Sequence, residues 1–119
     1  GEIDLLIRRE GLPFAIIEAL RLRSLEREYL NTHINKALTN YDQAGCPHAF
    51  VVVYAQVNDF ANFWNKLLEH VKNYQFPYTV DDTLSELVVE QTEVRVAKMK
   101  LSRSEKPVDF RIYAIHLPN

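Results

Sequence analysis

A chain of 119 residues that is 47% hydrophobic and 25% charged has room for one core and not for two, so a single domain spanning residues 1–119 is expected. The formal charge of −2 shows no overall basic excess for nucleic acid, although it permits a local basic face, and the lone Cys46 excludes an intrachain disulfide or a Cys-based zinc cluster. No run of ~18 apolar residues is present, so no membrane-spanning helix is encoded, and a reducing, cytoplasmic setting is expected.

Gly1-Glu2-Ile3-Asp4 runs straight into a strand pattern, which reads as a domain belonging to a longer parent protein. The first strand, about Glu2–Arg9, alternates Ile3, Leu5 and Ile7 with Asp4, Leu6 and Arg8. A second follows from Pro13 to Leu22, with Phe14, Ile16, Glu18, Leu20 and Leu22 on one face and Ala15, Ile17, Ala19 and Arg21 on the other. A three-residue loop at Glu10-Gly11-Leu12 would pair Arg9 with Pro13, Leu6 with Ile16 and Asp4 with Glu18. Opposed carboxylates destabilise a sheet unless a cation or a donor compensates them, so Asp4 and Glu18 are the first candidate site residues.

Ser24 as N-cap and Gly45 as C-terminal left-handed residue bracket a helix of about five turns. Its expected buried stripe is Leu25, Tyr29, Ile34, Leu38 and Tyr41, which leaves His33, Lys36 and Asn40 on a polar face. The run His48–Val57 is almost continuously β-branched and aromatic, as in a central strand covered on both faces. Asn58 or Asp59 caps a second helix that buries Phe60, Phe63, Trp64, Leu67, Leu68 and Val71 and is broken by Phe76-Pro77-Tyr78.

Val80–Glu86 reads as a connecting segment and Leu87–Leu101 as a strand with a bulge or an edge position near Ala97. Ser102–Pro107 is expected to be a loop leading into a last strand, Val108–Leu117, which returns as a hairpin. The order β-β-α-β-α-β-β implies an α/β or α+β layered domain with a mixed sheet. Three scattered glycines make no phosphate-binding loop.

An Asp in GEIDLLI, a Glu in AIIEALRL on the paired strand, then a helix and a hydrophobic strand, resembles the PD-(D/E)XK nuclease-like superfamily. The resemblance implies a three-layer, restriction-endonuclease-like fold, a mixed sheet flanked by helices. It also implies Asp4 and Glu18 as ligands of Mg²⁺ or Mn²⁺, the Ala19 carbonyl as a third oxygen donor, and phosphodiester hydrolysis in a nucleic acid, DNA first. The family's lysine falls here on Leu20. Lys36, on the helix after this strand, is the substitute expected to activate or orient water. Arg21 is nearer but on the wrong strand parity and a poor base, and loss of catalysis, leaving a binding or structural module, is the third reading.

Arg21, Asn40, Lys98 and Lys100 are the candidate nucleic-acid contacts, although a basic stretch such as Lys98–Lys106 is also how an edge strand resists aggregation. His33 and His48 match no compact ligand spacing and are expected at the surface or at a cap. Cys46, without an identifiable base, is not read as a nucleophile.

Overall fold

The computed structural model describes residues 3–39 and 46–118, Ile3 by its backbone alone. Its elements are β1 (Ile3–Arg9), β2 (Leu12–Leu22), α1 (Arg27–Thr39), β3 (His48–Ala55), α2 (Phe60–Lys72), β4 (Thr79–Leu87), β5 (Val94–Arg103) and β6 (Lys106–His116). The domain is α+β: one six-stranded mixed sheet in the order β1-β2-β3-β6-β5-β4, with two helices. β2, β3 and β6 run parallel to one another, and antiparallel hairpins close both flanks.

The first hairpin turns more tightly than the composition suggests. Glu10 and Gly11 take φ of 54° and 80°, the doubly left-handed turn whose twist matches its strands, and Arg9 faces Leu12 rather than Pro13. A bulge between Ile7 and Arg8 then leaves Phe14 without an opposite residue. From Ile7 inward the register is the one expected, with Leu6 opposite Ile16 and Asp4 opposite Glu18.

Helix α1 begins at Arg27, after a turn in which the Glu26 N–H donates to the Ser24 carbonyl, so Ser24 lies three residues before the helix instead of capping it. It buries Leu30, His33, Ile34, Ala37 and Leu38, whereas Tyr29 is partly exposed. The expected Tyr41 contact and the Gly45 terminus lie outside the described residues. Helix α2 follows its pattern closely: Asp59 Oδ1 accepts from the Asn62 N–H at 3.0 Å, and Phe60, Phe63, Trp64, Leu67 and Val71 are buried.

Between Tyr78 and Val94 the expectation is corrected. The segment read as a connection is strand β4, and the strand expected from Leu87 starts only at Val94. TVDDTLSEL carries no apolar alternation because β4 is an edge strand, with Leu84 its one fully buried side chain. The register irregularities fall on β4, at Val80–Ser85, and β5 pairs with β6 through Ala97 without a shift. The loop expected at Ser102–Pro107 shrinks to a turn at Ser104 and Glu105, both with positive φ.

The layering also differs from three. The Tyr78 hydroxyl donates to the Leu38 carbonyl at 2.7 Å, His70 Nε2 lies 2.6 Å from Asn31 Oδ1, and Trp64 Nε1–H donates to Glu86, so both helices sit on one side of the sheet. The core forms there, from Ile16, Leu20, Val51, Val53, Phe110 and Ile112 against the helices. β3 is consequently covered on one face only among the described residues, with Ala49, Val51, Val53 and Ala55 buried and Tyr54 exposed. Its apolar run has the same composition that two-sided burial would require, which is why the sequence suggested it. No described helix is long and apolar enough to cross a membrane.

Candidate active site

Asp4 and Glu18 reach the helical face of the sheet together because the bulge brings their strands into phase. Chain leaving β2 crosses over as α1 to β3, which lays the helix above Glu18. On α1, His33 and Lys36 are three residues apart and therefore share a face. Lys36 Nζ lies 3.1 Å from Asp4 Oδ2 and 3.2 Å from Glu18 Oε1, bridging the two carboxylates. His33 Nδ1 is 2.7 Å from that same Oε1, and Tyr29 meets the imidazole edge-on at 4.6 Å.

The cluster is graded in depth. Glu18 and His33 are 1% and 2% exposed, while the side chains of Lys36 and Asp4 retain 34% and 32% of their exposure. A carboxylate at Glu18's depth is tolerable only with donors, and it has two. Burial, reinforced by the nearby Asp4, raises the Glu18 pKa, and its contacts with His33 and Lys36 pull the other way without prevailing. Asp4 is shifted down, first by hydrogen bonding with Glu18 and then by Lys36, whose own pKa rises because Asp4 and Glu18 both favour its charged form. Lys36 is thus held as an ammonium, a donor and a positive charge more than a base.

The sequence-derived candidates separate cleanly by position. Asp4, Glu18 and Lys36 converge as described. Ala19 lies in β2 between Ile3 and Val52, flanked by strands on both sides, where carbonyls serve the sheet ladder. Leu20, where the resemblance would place a lysine, is fully buried in the core. Arg21, Lys98 and Lys100 point to the opposite face of the sheet, as their pairing with Tyr54, Arg111 and Asp109 requires. Asn40 lies outside the described residues.

No family model matches the chain, and no curated protein or solved structure is found similar to it. Function must be argued from the residues themselves.

His33 is the residue that sequence reasoning misplaced. Instead of a surface or cap position it occupies the floor of the site, buried because Glu18 satisfies its ring nitrogen. Its spacing from Lys36 was the available signal, since a lysine able to reach Glu18 places a histidine one turn earlier on the same side. His48, by contrast, is partly exposed on the other face, tilted against Phe14 at 4.6 Å. Cys46 is buried, which pushes its thiol pKa up and away from reactivity.

The donor set suits a hard cation only modestly. Two carboxylates converge on one positive charge, already supplied by Lys36, and among the described residues no group of three or more His, Cys, Asp or Glu forms a cage. That fits a small divalent ion such as Mg²⁺, which is commonly held by one or two carboxylates and keeps the rest of its shell for water and phosphate.

Proposed function

We propose that this chain is a metal-dependent nuclease-like domain that hydrolyses phosphodiester bonds in DNA, a restriction-endonuclease-like variant acting in the cytoplasm. Asp4 and Glu18 would hold Mg²⁺ or Mn²⁺, and when bound the ion would supply Lewis-acid stabilisation of charge on the phosphate. The observation that carries this reading is the Lys36 amine, within ion-pair distance of both carboxylates although it comes from the helix and not from the strand. Its raised pKa suits a role in orienting water and an anionic phosphate from Nζ. His33 holds Glu18 Oε1, fixing the carboxylate from below.

A second reading is a catalytically inactive nuclease-like fold that serves as a binding or structural module of a larger protein. It is favoured by the closure of the cluster on itself: Glu18 is 1% exposed and already has two partners. Plasmid nicking in Mg²⁺ or Mn²⁺ separates the two. Cleavage by the wild type that Asp4→Ala and Glu18→Ala abolish supports the first reading. Equal cleavage by all three removes the site assignment, and no cleavage by a folded wild type selects the second reading.

A further inference from the structure

The face of the sheet that carries no helix among the described residues has a pattern of its own, readable row by row from the strand register. One row runs Leu5, Ile17, Phe50, Arg111, Lys98 and the next runs Ala19, Val52, Tyr113, Val96. Before them lies Ile7, Ala15, His48, Asp109, Lys100, and after them Arg21, Tyr54, Ile115, Val94. The apolar members form a diagonal band from Ile7 on β1 to Ile115 and Val94 at the far corner. Leu5 and Ile7 are 52% and 44% exposed, and Ile17, Phe50, Val52, Tyr113 and Ile115 line a shallow depression of about 300 Å³.

Basic side chains flank the band on both sides. Lys98, Arg111 and Lys100 occupy one corner and Arg21 the opposite one, four basic residues against two acids in these rows, Asp109, which lies 3.7 Å from His48, and Asp82, opposite Lys100 on β4. Lys98 and Arg111 are directly opposed, a like-charge pairing that costs stability unless an anion meets it.

We propose that this face docks an amphipathic helix of a partner polypeptide whose apolar stripe is flanked by carboxylates. The dimensions agree: four strand spacings across and three residue pairs along give a diagonal of about 28 Å, the length of about 18 helical residues. A second copy of this chain is disfavoured, because stacking like on like would press Arg21, Lys98, Lys100 and Arg111 against their own charge. Single-stranded nucleic acid would answer the charge and find rings at Phe50, Tyr54 and Tyr113, but it would set sugar and phosphate against the aliphatic majority of the band, Leu5, Ile7, Ile17, Val52 and Ile115. A sheet that buries one face and exposes an aliphatic band on the other calls for a layer of side chains. This surface is independent of Asp4 and Glu18, which face the helices.

The test uses the 119-residue chain and two labelled synthetic peptides with the same leucine stripe, flanked by Glu in one and by Lys in the other, in fluorescence anisotropy. The expected result is saturable binding of the Glu-flanked peptide, at least about tenfold tighter than the Lys-flanked one, with the preference removed by Lys98→Glu/Arg111→Glu. Val52→Glu should abolish binding of both peptides while far-UV circular dichroism and the thermal transition stay as in the wild type. Amide shifts on titration should centre on Ile17, Phe50 and Tyr113. The proposal is overturned if the Glu-flanked peptide does not saturate, or if its preference survives the charge reversal. Displacement of the peptide by oligothymidylate would overturn it in favour of nucleic acid, and a sedimenting dimer that Val52→Glu dissociates would overturn it in favour of self-association.

Discussion

Replacing His33 by alanine tests whether the buried floor of the cluster contributes to stability. The change removes the donor 2.7 Å from Glu18 Oε1 at a site where both residues are at most 2% exposed, so water does not replace the lost bond. Leaving a buried acceptor short of a partner costs about 1–3 kcal/mol. The void left by the imidazole, which packs on Tyr29, adds about 2 kcal/mol, the low end for a large-to-small core substitution. A total loss of about 3–5 kcal/mol is a large share of the ~5–15 kcal/mol available to a domain. Urea unfolding followed by the fluorescence of Trp64, the single tryptophan, reads it directly. With a slope of about 2 kcal/mol/M the midpoint should fall by about 1.5–2.5 M. His33→Asn, whose amide nitrogen can stand near the position of Nδ1, should recover more than half of the loss. A His33→Ala loss below about 1 kcal/mol, or no difference between Ala and Asn, would refute the claim that Glu18 depends on this donor.

Three further outcomes follow from the same geometry. Lys36→Met should lower nicking activity by about 10²-fold or more while increasing the thermal stabilisation given by Mn²⁺, because the amine no longer competes for Asp4 and Glu18. Glu18, with its pKa raised in the fold by burial, contributes stability that is fully present below its unfolded value of about 4.3 and is lost as pH rises through the raised value. Asp4, with its pKa lowered, contributes stability present above its unfolded value of about 3.9 and lost as pH falls through the depressed one. Urea titrations across this range should show both slopes in the wild type, and Glu18→Gln should erase the decline toward neutral pH. Glu105→Gly should stabilise the β5–β6 turn by about 0.5–1 kcal/mol, seen as a higher melting temperature, because Glu105 holds φ of 68° that costs a side chain more than a glycine.

The parts of this molecule legible from the sequence are those whose side chains report a period. Alternation on both sides of Gly11 located Asp4 and Glu18 on one face, and the spacing on α2 located its buried stripe residue by residue. What failed to show was structure whose side chains carry no such report. β4 is held by its backbone ladder to β5, so its polar residues look like a connection. His33 looks solvated until its acidic partner is known to be buried beside it. The apolar run of β3 states that its side chains avoid water, but not whether chain already described provides the cover on both sides. Arg21, Lys98 and Lys100 read as companions of the acidic pair by charge, whereas strand parity sends them to the other face.

The unpaired Phe14 has an evolutionary consequence. Its deletion would only straighten the hairpin and leave Asp4 opposite Glu18, but were Leu5 or Leu6 lost from β1 with the bulge in place, Asp4 would move up one pair and stand opposite Ile17, on the far side of the sheet from Glu18. Asp, Glu, His and Lys would all survive in the sequence, yet no longer meet. The cluster is therefore encoded by chain length as much as by residue identity, and a lineage could discard it through one lost codon. A tally of conserved side chains would record such a descendant as intact.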